Sequence, residues 1–398
     1  MKICGGEMAT PLDGVKVVEL GQMVTGPLAT RLLADMGASV IKIENPGGGD
    51  LFRAFEGGQY GGSFISFNRN KRSLTLNLRH AEGKSIALKL IAQADVLVEN
   101  FRPGVMARLG LDRHTLETAN PRLIHASVTG FGPDGPYAQR PAYDAVGLAL
   151  SGMASLVLDP ENPQVSGPTL ADNITAMTAC EGILGALYER ARTGMGRLVE
   201  VNMVEAMIAF MPNPFSNYYQ SGKLQRLYTR SSNSQSYALR CSDGKLIMVH
   251  LSSPDKFWRG LLRAIERPEL GADPRFTERP DRAKHYQILR SELAKSFARR
   301  PLAEWAARLC TEDVPFAPIY SVEEVEHDPQ VRHLGTFYEI EHPTQGLQKD
   351  VRPPVRFDGE RGPVHSAAPT LGEHTEAVLA ELGIVGDELA RLRANEVV

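Results

Sequence analysis

Over its first two hundred residues the chain alternates short β-branched runs with stretches of helical period, and that alternation leaves few folds open. Val15-Lys-Val-Val-Glu-Leu20 is a strand signal ending in a Gly-containing loop, and a helix is expected from about Gly26 to Met36. Ser39-Val-Ile-Lys-Ile43 supplies the next strand. Glu82 to Ala94 carries apolar residues at helical spacing. Asp95-Val-Leu-Val98 then reads as a short buried strand, and Leu123-Ile-His-Ala-Ser-Val128 as another, ahead of a Gly/Pro turn. One long, mostly apolar helix runs from Asn173 to Arg192. Gly194-Met-Gly-Arg197 stops it, and the strand Leu198-Val-Glu-Val201 follows. Strands that alternate with helices cross over and pair in parallel, so the expected class is α/β with a Rossmann-like layered sheet.

The pattern changes after residue 212. Asn213 to Ser234, rich in Asn, Pro and Ser, is expected to be irregular and to mark a boundary. Ser236-Tyr-Ala-Leu-Arg-Cys241, the turn Ser242-Asp-Gly244 and Lys245-Leu-Ile-Met-Val-His250 make a hairpin signal. Helices near Ser253–Ala264, Arg282–Ala298 and Leu302–Leu309 complete a smaller α+β domain. The tail holds Arg352-Pro-Pro-Val-Arg356 and a last helix from about Glu373. The expected bounds are 10–215 for the large domain, 225–325 for the small one and 326–398 for the tail. A chain of 398 residues accommodates two or three such domains.

Composition excludes several functions. The formal net charge is -3 and the Lys and Arg residues are scattered, so no nucleic-acid surface is expected. No run approaches the ~18 apolar residues of a membrane span, and no signal peptide is visible; a cytoplasmic protein is expected, with Met1–Met8 a loose leader. Cys4, Cys180, Cys241 and Cys310 are widely spaced, the mark of reduced thiols, and Cys180 reads as a small core residue. His327, His333 and His342 lack ligand spacing, so no metal site is expected. The glycine triplet at 47–49 and the pairs at 57–58 and 61–62 fit neither GxGxxG after the first strand nor GxxxxGK[ST], and read as loop material.

Four segments carry a more specific signal: Gly37-Ala-Ser-Val-Ile-Lys-Ile-Glu44, Val98-Glu-Asn-Phe-Arg-Pro-Gly-Val-Met-Ala-Arg-Leu-Gly-Leu111, Gly130-Phe-Gly-Pro-Asp-Gly-Pro-Tyr-Ala-Gln-Arg-Pro-Ala-Tyr-Asp144 and Gly167-Pro-Thr-Leu-Ala-Asp-Asn-Ile-Thr175. Together they resemble the class III CoA-transferases, the CaiB/BaiF family, from about Leu12 to the C-terminus. The resemblance implies a large Rossmann-like domain built from both ends of the chain, a small inserted domain, and a homodimer of interlocked rings. It implies coenzyme A, as acyl-CoA, for a substrate, a carboxylic acid as partner, and no tightly bound cofactor.

By the same resemblance Asp172 is the nucleophile that attacks an acyl-CoA thioester, giving an aspartyl anhydride and then an aspartyl-CoA thioester. Local sequence alone gives Asp172 a plainer role, a helix N-cap, and the two are compatible, since a helix N-terminus would hold the carboxylate ionised. Gly21, Gln22 and Thr25, in the first strand-to-helix loop, are candidate oxyanion donors. The family's coenzyme A contacts fall on Thr25, Asn45, Lys71, Arg72, Arg79, Asn100, Phe101, Arg102, Arg108, Ala142 and Tyr143. At Asn45 many relatives carry an arginine, and at Val24 the oxalate-using members carry a glutamine.

The family also contains racemases of 2-methylacyl-CoA, which place a histidine before an aspartate where this chain has Tyr143-Asp144. Tyrosine, with a reference pKa of about 10, is a poor base at neutral pH, which favours CoA transfer. The Tyr143-Asp144 context looks closest to succinyl-CoA-dependent enzymes acting on dicarboxylic acids. Carnitine-type and aromatic-acid transferases, an acyl-CoA hydrolase and a non-catalytic CoA-binding protein are the remaining readings.

Overall fold

A computed structural model describes residues 10–56, 58 and 60–398. Cys4, the leader Met1–Met8 and Gly57 lie outside the described residues. The chain divides into two compact units. One comprises the stretch up to Ala154, Val165–Pro212 and Gly335–Val398; the other comprises Ser155–Gln164 and Asn213–Leu334.

The large unit is built on six parallel strands: β1 (Lys16–Glu19), β2 (Ser39–Glu44), β3 (Lys71–Thr75), β4 (Val96–Glu99), β5 (Ile124–Thr129) and β6 (Arg197–Asn202). Their order is β3-β2-β1-β4-β5-β6, so the chain winds outward in both directions from the β1/β4 pair. Successive side chains alternate faces. Val17, Val40, Val96, Val98 and Ile124 face the helices Thr25–Ala34 and Leu170–Thr193. Val18, Ile41, Ile43, Leu74 and Leu97 face the helix Ala81–Ile91 and two helices from the end of the chain, Thr375–Glu381 and Gly386–Ala394. Burial on both faces explains why these strands read as apolar runs.

The small unit has its own core. β7 (Ser236–Arg240), β8 (Leu246–His250) and β9 (Phe316–Pro318) form an antiparallel sheet. Tyr237, Ile247 and Val249 from its strands pack with Trp258, Phe276, Leu289, Phe297 and Trp305.

Four elements depart from the sequence expectation. The stretch expected to be irregular contains the helices Pro212–Ser221 and Thr229–Ser234, whose polar residues face solvent rather than break the backbone. The helix expected over 282–298 divides at His285 into Arg279–Lys284 and Tyr286–Phe297. β3 went unrecognised because Lys71-Arg72 reads as surface, yet Lys71 is buried and neutralised by Glu19. An antiparallel hairpin, β10 (Phe337–His342) with β11 (Gly346–Val351), was concealed by its charged second strand.

Candidate active site

Because all six strands are parallel, the segments leaving their C-terminal ends gather along one edge of the sheet. The loop after β1 (Leu20–Val24), Asn45 after β2, Arg79 after β3, Asn100 to Arg108 after β4 and Gly130–Tyr143 after β5 all lie there. The Leu170–Thr193 helix crosses from β5 to β6 and runs against the strands, so its first turn opens on that same edge. Side-chain packing fixes its neighbour. Ala176 and Ala179 touch Leu28 and Ala29, near the start of the Thr25–Ala34 helix. One turn earlier on each helix stand Asp172 and Thr25.

Asp172 is the third residue of its helix and does not cap it. Thr169 holds the cap position, but its hydroxyl accepts from the Asn173 side-chain amide rather than from the helix-start N–H groups, and the cap is supplied from another segment: the Asp144 carboxylate accepts from the N–H of Ala171 at 2.7 Å and of Asp172 at 3.2 Å. The Leu170 and Asn173 N–H groups bond to Pro168 and Thr169 carbonyls. The free amides that would have stabilised an anion at this helix start are therefore spent elsewhere, and the Asp172 carboxylate accepts no hydrogen bond among the described residues. Its pKa is pushed from 3.8 up to about 7, first by burial and then by the nearby Asp144 carboxylate. The expectation that the helix terminus keeps Asp172 ionised is thereby corrected.

The approach of Asp144 to Asp172 requires a glycine. Asp144 begins the short helix Asp144–Leu150, which lies against the Leu170–Thr193 and Met203–Phe210 helices through Leu148, Ala171, Met203 and Met207. A Cβ on Gly147 would meet Met203 Sδ at 2.4 Å and the Ala171 Cβ at 3.0 Å.

Asn100 and Thr25 are brought together across the β1/β4 switch point. Asn100 Oδ1 accepts from the Gln22 N–H at 2.9 Å, and its amide donates to the Gln22 carbonyl at 2.8 Å and to Thr25 Oγ1 at 2.9 Å. Both side chains thus hold the β1 loop. Among the described residues the N–H groups of Val24, Thr25 and Gly26 are left without a partner at this helix start.

The remaining residues singled out for coenzyme A divide by exposure. Arg79, Arg102 and Arg108 are exposed and make no ion pair among the described residues. Asn45 is exposed and accepts from the Gly47 N–H, closing a tight turn over the 47–49 glycines. Phe101 is half-buried against the core, and Ala142 sits so close to Gly130 that a Cβ there would lie 2.2 Å from its own. Tyr143 is 59% exposed, beside Asp144. Two residues are not presented at the edge. Lys71 is fully buried, pairing with Glu19 at 2.8 Å and donating to the Pro27 carbonyl at 2.8 Å, and Arg72 pairs with Glu381. Direct contact by the Lys71 ammonium with a ligand is thereby corrected to a role beneath the loop.

Sequence reasoning missed Asp144 as the group that caps the Asp172 helix, since the two lie 28 residues apart. The Gly147 spacing was the one local signal that could have pointed to it. Cys180 is buried and its thiol is pushed up to about 11 by that burial, which keeps it from acting as a thiolate. Among the described residues no group of three or more His, Cys, Asp or Glu is placed to hold a metal ion, and no helix is long and apolar enough to cross a membrane.

Comparison with known proteins gives one consistent result. The sequence pattern of CoA-transferase family III matches residues 12–375. The formyl-CoA:oxalate CoA-transferase of Escherichia coli O139:H28 (strain E24377A / ETEC) is 34% identical over 420 residues, covering 98% of this chain and 100% of that protein. Among solved structures, a CaiB/BaiF family protein from Brucella suis superposes with a TM-score of 0.84 at 35% identity, over 94% of this chain and 100% of that one. Rv3272 from Mycobacterium tuberculosis gives a TM-score of 0.82 at 33% identity, over 93% and 99%.

Proposed function

Because the chain belongs to CoA-transferase family III, and is an enzyme of that class, we propose that it moves coenzyme A from an acyl-CoA to a free carboxylic acid through covalent acylation of Asp172. The observation that carries this reading is the state of Asp172: a carboxylate at the C-terminal edge of the sheet, deprived of its helix-start amides by Asp144 and accepting no hydrogen bond among the described residues. Such an anion is poorly solvated and gains by forming a bond to carbon.

The steps balance as follows. An Asp172 oxygen adds to the thioester carbonyl, the C–S bond breaks, and coenzyme A leaves as thiolate beside a mixed anhydride. The thiolate then attacks the Asp172 carbonyl carbon, releasing the donor acid and leaving an aspartyl-CoA thioester. The acceptor carboxylate attacks that thioester to give a second mixed anhydride, and the thiolate returns to its acyl carbon, regenerating Asp172. No proton need be stored. Charge developing on carbonyl oxygen in each addition is met by the free N–H groups at Val24, Thr25 and Gly26. Arg79, Arg102 and Arg108, exposed and without an ion pair among the described residues, suit the phosphates of coenzyme A, and Asn45 and Phe101 lie in loops on the same sheet edge.

A dicarboxylate acceptor is supported by the oxalate-using relative and by the Tyr143-Asp144 context. Val24 is buried where oxalate-using members carry a glutamine, which argues for an acid other than oxalate itself. Racemisation is the weaker reading: Tyr143 is exposed and no hydrogen bond supports its hydroxyl among the described residues, so no second base is prepared. The working unit is proposed to be an interlocked homodimer in the cytoplasm.

The test is Asp172→Ala, with mass spectrometry of CoA products from a panel of acyl-CoA donors and carboxylic acids. Transfer should fall by at least about a thousandfold. Hydroxylamine present during wild-type turnover should convert Asp172, and no other residue, to a hydroxamate. Turnover surviving the substitution sinks the reading.

A further inference from the structure

The loop that follows β1 is held from below by a buried chain of charges that the reaction itself does not use. Lys42, on β2, is fully buried; its ammonium donates to the Gly21 carbonyl at 2.8 Å and pairs with Glu19 and with Asp50, each at 2.8 Å. Asp50 in turn accepts from the Met23 N–H at 2.9 and 3.2 Å. Met23 occupies the left-handed region at φ 63, a conformation that a non-glycine residue keeps only when its surroundings enforce it. The other Glu19 oxygen accepts from Thr30 at 2.6 Å and pairs with Lys71, whose ammonium also reaches the Pro27 carbonyl. From the far side Asn100 holds Gln22 through both its N–H and its carbonyl.

The outcome is a backbone accounting. The Gly21 carbonyl, both polar groups of Gln22 and the Met23 N–H are each bonded, and among the described residues the N–H groups of Val24, Thr25 and Gly26 are the ones left over. Four ionised side chains buried together are costly to assemble, and hydrophobic replacements of similar volume commonly serve stability as well or better. Their retention beneath this one loop therefore calls for a reason other than stability.

We propose that Lys42 and Asp50 are positioning residues for catalysis, locking the Gly21–Gly26 backbone so that its three free N–H groups stand fixed where acyl oxygen acquires charge. The proposal rests on the reading that Asp172 is the acylated group. Preorganised donors act because they need no reorganisation during the reaction, and a loop freed to relax about Met23 would lose that advantage while coenzyme A still bound. The electrostatics agree: Asp50 is held below the usual carboxylate range although burial acts against ionisation, because the Lys42 ammonium is adjacent, and Lys42 is held above its ordinary value by Asp50 and Glu19 despite the same burial.

Asp50→Ala removes the Met23 acceptor and the Lys42 partner together, whereas Asp50→Asn keeps one acceptor oxygen and the volume. Two measurements decide. Amide hydrogen exchange over 21–26, read by mass spectrometry, needs no substrate; turnover uses the acyl-CoA and acid that the wild-type enzyme transfers best, with free coenzyme A affinity measured by calorimetry. Asp50→Ala is expected to speed exchange by about tenfold and lower kcat by about a hundredfold, with coenzyme A affinity held within about threefold. Asp50→Asn should fall between it and wild type in both, and carries the test alone if Asp50→Ala does not fold. Exchange or kcat within about twofold of wild type in both variants overturns the proposal, as does a loss of coenzyme A affinity equal to the loss of kcat. Asp172→Ala, assayed in parallel, separates the two ideas: turnover surviving there defeats the nucleophile assignment, while the exchange result still judges the loop.

Discussion

Replacing Asp172 by Asn should stabilise the protein, and only above a defined pH. In the fold the carboxyl is pushed from 3.8 up to about 7, first by burial and then by Asp144; in the unfolded chain it returns to its ordinary value. The folded state therefore holds this proton more tightly than the unfolded one. Below about pH 4 the group is protonated in both states and costs nothing. As pH rises from there to about 7 the unfolded chain releases the proton first, so this group's contribution to stability falls across that window and is constant above it. Three pH units at about 1.36 kcal/mol each set a ceiling of about 4 kcal/mol, and partial access of solvent to the side chain lowers the expectation to about 1–3 kcal/mol. Asparagine has nearly the same shape, never ionises and forfeits no hydrogen bond, since the carboxylate accepts none among the described residues. Urea denaturation of the two proteins at about pH 4 and about pH 8 measures the difference. The midpoints should coincide at the lower pH and the variant should lead at the higher. An advantage independent of pH, or a wild type that is the more stable at about pH 8, would refute the account of a carboxylate strained by burial and a like-charged neighbour.

Two further outcomes follow from the same geometry. Asp144→Asn keeps an oxygen for the Ala171 and Asp172 N–H groups but removes the adjacent charge, so the rising acid limb of the kcat–pH profile should move to lower pH; a limb that stays in place would show that Asp144 does not set it. Gly147→Val would drive a side chain into Met203 and Ala171, at a cost of about 1–3 kcal/mol read by denaturation, and should lower turnover by displacing the turn that carries Asp172.

Much of this was legible in the residues, for reasons that can be named. Val17 and Val18 serve opposite faces of a doubly covered sheet, so β1 reads as a continuous apolar run, and the same holds for β2 and β4. The long helix is evident from alanines and other small residues at 171, 175, 179 and 186 and from its Gly194 stop, at φ 76, whose N–H bonds the Arg190 carbonyl. Asp172 itself was visible through the segment around it. What escaped notice depends on partners far away in sequence. Lys71 reads as a coenzyme A contact until Glu19, 52 residues earlier, is placed beneath it. Asp144 reads only as the neighbour of Tyr143 in a family segment until its oxygen is found on the amides of the Leu170–Thr193 helix. Propensity and period describe a segment against its own neighbours; both of these charges take their meaning from a segment on another strand or helix.

The position of the chain's last residues bears on how the enzyme is made. Val378, Leu379, Leu389, Leu392 and Val397 share one apolar cluster with Val18, Ile41, Leu74 and Leu97 from the first hundred residues. On the ribosome those early strands emerge long before Thr375–Glu381 and Gly386–Ala394, the helices that cover one of their faces. The small unit, by contrast, draws nearly all its core from the contiguous stretch 236–314 and can close while synthesis continues. The nascent large sheet therefore waits with an apolar face open until those helices have been made. A stop codon ahead of Thr375 would leave it so permanently, making the product a substrate for chaperones and proteases rather than a slightly weakened enzyme.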